Sequence, residues 1–147
     1  MKTKLNKSLL KSLRDAKSNC NLSLNEEQGG FILKALDTEE YKYIPVRNQN
    51  TGTPKARSLY IADRLEFGKN VLGETIADDW DLFASFHTHP WGCPAMPSSM
   101  DLAELFTSFP VNFIYAPESD TLNMFTYIAL PKTDPMLVKW QGATIIL

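Results

Sequence analysis

Long apolar runs are absent from this chain. No stretch approaches the ~18 consecutive apolar residues of a membrane-spanning helix, so no membrane partner is expected. Cysteine is scarce: Cys20 and Cys93 lie far apart and form no C-x-x-C pair. That fits a reducing cytoplasm, where a disulfide framework would not persist. The opening "MKTKLNKSLLKSLRDAKSN" is basic but has no apolar core like that of a secretory signal. Its lysine richness and Asp15 also set it apart from a transit peptide. The formal net charge of -2 disfavours a nucleic-acid partner held by phosphate neutralisation. Histidine is scarcest of all, with two residues, and both stand in "FHTHPWGCPAMPSSMD", Phe86 to Asp101.

What is there is ordinary for a globular protein. With 147 residues, 44% of them hydrophobic, the chain is long enough for one self-sufficient core, and a single domain over residues 1–147 is expected. Charge is uneven. The first twenty residues carry six Lys or Arg against one Asp, a local +5 that leaves -7 on the remainder. A solvated helix face accounts for this more simply than an acidic partner does.

Leu5, Leu9, Leu13 and Ala16 recur at helical spacing, predicting an amphipathic helix over residues 1–18. "GGFILKAL" and "EYKYIPV" read as strands joined by the turn "DTEE", and "NQNTGTPKA" as a loop. "RSLYIA" reads as a short strand, followed by a helix capped by Asp63 and running to about Ala77, with Gly68 and Gly73 weakening it. "DLFASFHTH" alternates like a strand and stops at Pro90. Ser98 then opens a helix, "SMDLAELFTSF", that Pro110 closes. "VNFIYA" and "TLNMFTYIAL" flank the turn "PESD", and "LVKWQGATIIL" adds a last strand. Helices mixed with hairpin-connected strands predict an α+β domain.

On a strand, residues i and i+2 share a face, so His87 and His89 present two imidazoles side by side. They are either packed, satisfied histidines or two ligands of one metal ion. With no third histidine, a catalytic site must be completed by a carboxylate or by Cys93, which disfavours three-histidine sets. Two histidines and a carboxylate, with one position open to water, form a recognised catalytic zinc arrangement. Asp101 is the nearest carboxylate on the C-terminal side, although Ser98-x-x-Asp101 also reads as a helix capping box. A general base would come from Glu26 or Glu27 at the edge of the first strand, unless both are solvated loop carboxylates.

Together these pieces resemble the JAB/MPN (JAMM) metalloprotease family. "HTHP", followed by S-x-x-D and preceded far upstream by E-x-x-G at a strand start, is similar to that family's motif over about residues 24–127. The resemblance implies a cytidine-deaminase-like JAB/MPN fold with a mixed central sheet flanked by helices. It implies Zn2+ held by His87, His89 and Asp101, with Glu27 as general acid/base and Ser98 at the substrate oxyanion. Glu27 matches because it stands three residues before Gly30, whereas Glu26 is out of register. One departure is plain: eight residues, "PWGCPAMP", separate His89 from Ser98, where the family usually has seven. Only Ser98, not Ser99, keeps the S-x-x-D spacing.

The substrate class implied is a peptide or a ubiquitin-like protein cut after its C-terminal glycine. The small chain, with no fused partner, resembles prokaryotic stand-alone members. Other readings are a metal-dependent hydrolase of an unrelated peptide, a non-catalytic scaffold, or nucleophilic catalysis by Cys93. Exposed strand edges allow a homodimer.

Overall fold

The computed structural model describes residues 5–21, 26–50, 60–77, 79–129 and 138–147. Among them, six strands form one sheet: β1 (Gly29–Ala35), β2 (Tyr41–Val46), β3 (Trp80–Thr88), β4 (Val111–Ala116), β5 (Thr121–Ala129) and β6 (Val138–Ile145). Their spatial order is β2-β1-β3-β4-β5-β6. Neighbours run antiparallel except β3 and β4, which are parallel. A parallel pair needs a crossover, and here the crossover carries residues 89–110, including helix α4 (Ser99–Glu104). This is the expected α+β architecture, with a mixed central sheet flanked by helices.

Helix α1 (Lys7–Asn19) begins where the Asn6 side chain accepts the Leu9 N–H at 2.7 Å, filling a free donor of the first turn. Its stripe of Leu9, Leu13 and Ala16 packs on Ile32, Ala84, Phe86, Phe113 and Leu122, all from one face of the sheet. The opposite face carries Phe31, Leu33, Val46 and Val71 toward β2, and Tyr60, Ala95, Phe106, Ile114 and Phe125 toward β5. No helix among the described residues is long and apolar enough to cross a membrane.

Two sequence expectations need correction. "RSLYIA" forms no strand among its described residues; Ala62 makes only an isolated bridge with Asn48. The reason is a side chain from across a loop: Asn48 Oδ1 accepts the Ile61 N–H at 3.0 Å, taking the donor a strand ladder would use. Residues 57–59 of that segment lie outside the described set. The helix opened by Ser98 ends at Glu104 rather than Phe109. There the Asp101 carbonyl accepts from both Leu105 and Phe106, each at 3.0 Å, and the chain turns to bury both side chains.

The segment after Asp63 is helical as expected, but in three pieces. A short α2 (Arg64–Glu66) leads into a π-helical stretch (Phe67–Leu72) and then α3 (Gly73–Ala77). The Gly73 N–H reaches back to the Gly68 carbonyl, and the wider turn lets Val71 sit in the core while Phe67 meets the Phe31 ring edge-on at 4.8 Å.

Candidate metal centre

Strand alternation decides which side chains of β3 reach the polar site. Ala84 and Phe86 face α1, so Ser85 and His87 face the other way. His89 continues that path one residue past β3, its N–H donating to the Tyr115 carbonyl at 2.9 Å. Glu27 arrives beside them because pairing extends beyond the start of β1. Thr88 N–H donates to the Gln28 carbonyl at 2.7 Å, and Gln28 N–H to Thr88 Oγ1 at 3.0 Å. Close approach here requires glycine: a Cβ on Gly29 would collide with the Phe86 carbonyl and lie 2.9 Å from His87 Cα. Asp101 enters from α4. Ser98 Oγ accepts the Asp101 N–H at 3.1 Å, and Asp101 Oδ2 accepts the Ser98 N–H at 2.9 Å, a complete capping box.

Glu27, His87, His89 and Asp101 are all buried, and one ligating atom from each lies within 4.8 Å of the others. His87 Nε2 is 3.2 Å from His89 Nε2, 3.2 Å from Asp101 Oδ1 and 3.6 Å from Glu27 Oε1. His89 Nε2 is 3.0 Å from Asp101 Oδ2. His89 Nδ1 lies 2.8 Å from the Pro94 carbonyl. A carbonyl can only accept, so that nitrogen carries the hydrogen, which leaves Nε2 as the atom that faces the carboxylate and is free to ligate. Glu27 Oε1, His87 Nδ1 and Asp101 Oδ1 have no hydrogen-bond partner among the described residues. In the tautomers a metal needs, both Nε2 atoms are bare, and these buried acceptors then face one another without a donor, which is costly unless a cation lies between them. The donor set of two imidazoles and carboxylate oxygens therefore fits a divalent metal ion.

Comparison with known proteins agrees. Residues 7–130 match the family described as prokaryotic homologs of the JAB domain. The chain belongs to this family. No curated protein gives a significant match. Among solved structures, the solution structure of a protein from Desulfitobacterium hafniense is similar in fold. It is 21% identical, with a TM-score of 0.60 and coverage of 99% of this chain and 92% of that one.

In this JAB domain the cluster's electrostatics are lopsided. Burial pushes the Glu27 carboxyl up to about 9, and the Asp101 charge adds to the rise, against a hydrogen bond from the Tyr60 backbone. Burial would raise Asp101 too. Its histidine neighbours and the Ser98 N–H win, however, and hold it well below the usual carboxylate range. Burial lowers His87, so its imidazole is neutral near pH 7, the form a metal ligand needs.

All four cluster residues were among those singled out in the sequence, and Ser98 stands at the mouth as an exposed helix cap. Glu26 and Cys93 do not join the cluster, and Cys93 is exposed. Three supporting residues escaped the sequence reading. Tyr60 lays its ring parallel to His87, 8° apart in plane with centroids at 6.1 Å. Asn48 Nδ2 donates to the Glu27 carbonyl at 2.9 Å. Asn123 Nδ2 donates to the Ala95 carbonyl at 2.9 Å. Composition marked Asn48 as loop and hydrophobicity marked Tyr60 and Asn123 as strand; neither signal reports a long-range contact.

Proposed function

We propose that this JAB domain is a zinc-dependent peptidase or isopeptidase that hydrolyses an amide bond. The leading substrate is the bond after the C-terminal glycine of a ubiquitin-like protein. The observation that carries the reading is the convergence of His87, His89 and Asp101 with the unpartnered Glu27 Oε1 beside them.

His87, His89 and Asp101 are the ligands in this reading. When bound there, zinc supplies a Lewis acid that polarises the scissile carbonyl and makes water acidic enough to attack near neutral pH. Glu27 accepts the proton of the attacking water and delivers it to the leaving amine, work that contributes roughly 10²–10⁴-fold. Its raised pKa belongs to the metal-free protein, because a cation beside Glu27 favours the ionised base. Ser98 Oγ accepts the Asp101 N–H and keeps its own O–H to donate to the substrate oxyanion, a contact of roughly 3–4 kcal/mol in the transition state. Capping and catalysis thus use different sides of one hydroxyl. A metal-free scaffold would leave the buried acceptors without a counter-charge. Two unpaired cysteines, Cys20 and Cys93, suit the reducing cytoplasm.

The test is Glu27→Gln, assayed zinc-loaded on ubiquitin-like fusions and generic peptides. Turnover is expected to vanish while one zinc per chain is retained. Full activity in this variant would remove Glu27 from the chemistry. Inhibition by a thiol alkylator but not by a chelator would move the chemistry to Cys93.

A further inference from the structure

The spacer between His89 and Ser98, residues 90–97, is joined to the cluster at both ends. A hydrogen-bond chain running in from the far side of the sheet accounts for this. Gly29, His87, Ile114, Asn123 and Thr144 pair in succession across β1, β3, β4, β5 and β6, forming one transverse row. Asn123 is two strands from His87, roughly 10 Å at the usual strand spacing. Its side chain has both ends engaged. Thr144 Oγ1 donates to Asn123 Oδ1 at 2.9 Å, and Asn123 Nδ2 donates to the Ala95 carbonyl at 2.9 Å. Ala95 is the spacer's buried anchor, packed in the cluster with Ile114 and Phe125. The preceding carbonyl, Pro94, accepts His89 Nδ1–H at 2.8 Å. Toward its start, the spacer makes a local turn, with Cys93 N–H on the Pro90 carbonyl at 3.1 Å and Gly92 at φ +86°. Ala95 is a point where the sheet holds the spacer next to the Pro94 carbonyl.

We infer that Asn123 is a positioning residue for the metal centre: by fixing Ala95 it places the Pro94 carbonyl that sets the tautomer and tilt of His89. The inference rests on the reading of His89 as a ligand. Outer partners of ligating histidines typically contribute 10–100-fold in metal affinity, and Asn123 acts one step further out, through the spacer.

The test is zinc affinity, measured by competition with a chromophoric chelator on the full chain. It is paired with the absorption spectrum of the cobalt(II)-substituted protein and the melting temperature of the metal-free protein. Asn123→Ala is expected to weaken zinc binding several-fold, up to about 10-fold, to shift the cobalt band and to leave the metal-free fold intact. Thr144→Val, at an exposed position, loosens the same asparagine from β6 and should shift affinity in the same direction by less. If Asn123→Ala does not fold, this variant decides the matter by the same two readouts. Zinc affinity within twofold of wild type, or an unchanged cobalt band, overturns the inference. His89→Ala is the control: it should lose zinc. Were it to bind normally, the ligand reading would fail and this inference with it. With zinc lost in His89→Ala and kept in Asn123→Ala, only the role of Asn123 is overturned.

Discussion

On β3, Ala84 and Phe86 turn toward α1 while Ser85 and His87, their immediate neighbours, turn the other way. All four are fully buried, but they live in different solvents. The α1 face is closed mainly with apolar side chains, and its polar atoms are paired, Ser12 Oγ donating to the Ser8 carbonyl and the Tyr115 hydroxyl to Asp120. The far face buries Glu27, Ser85, His87, His89, Asp101 and Asn112, some satisfied and some not. Ser85 bonds to Asn112, whose Nδ2 donates to the Phe109 carbonyl at 2.7 Å, so that part of the face is closed with polar pairs. Among the described residues, the buried side-chain polar atoms without a hydrogen-bond partner belong to the cluster. One strand, read in alternate residues, thus supplies stability on one side and chemistry on the other.

Substitutions should split along the same line. His87→Leu is expected to have the largest effect. It should abolish zinc binding and turnover, and lower the metal-free melting temperature because the buried Asp101 carboxylate loses a histidine neighbour. Thermal melts in chelator, set beside zinc titrations, would check both halves. Leu13→Ala, on the α1 face, should spare the metal site. It should cost about 2–5 kcal/mol in denaturant unfolding while zinc affinity of the folded protein stays the same.

A pH series on the metal-free protein sharpens the contrast further. Glu27 is held above its ordinary value of 4.5 at about 9, so between those values the folded state binds more protons than the unfolded chain. Stability from this group is full below pH 4.5 and falls as pH rises toward 9, by at most about 1.4 kcal/mol per pH unit. His87, held low, gives an opposite slope below its ordinary 6.5, so the clean window lies between 6.5 and 9. Glu27→Gln should flatten the decline there; an unchanged slope would assign it to another group. The smallest stability effect is expected for Ser98→Ala. Loss of the cap should cost about 1 kcal/mol, while turnover drops by far more than that fraction of unfolded protein explains.

The site was legible in the sequence because its parts are local. His87 and His89 need only strand alternation to share a face, and Ser98 and Asp101 need only one helical turn to meet. Glu27 rather than Glu26 followed only from the resemblance to the family's E-x-x-G, and Gly30 of that match is wedged against β2, where a Cβ would strike the Ile44 carbonyl. The supporting residues were not legible, because their contacts span long loops. Asn48 reaches Glu27 across 21 residues, and Asn123 reaches Ala95 across 28. The misread "RSLYIA" failed for the same reason: a side chain from elsewhere took a backbone donor.

The transverse row from Gly29 to Thr144 has one more consequence. A slip of one residue in the pairing of β1 with β3, or of β3 with β4, would turn His87 into the oily layer beneath α1 and bring Phe86 up in its place. Such a misassembled chain could still bury much of its apolar surface, but it could not gather two imidazoles and two carboxylates at one point. Metal capture at this cluster would therefore proofread the sheet, rewarding the chain whose strands have zipped in the correct register.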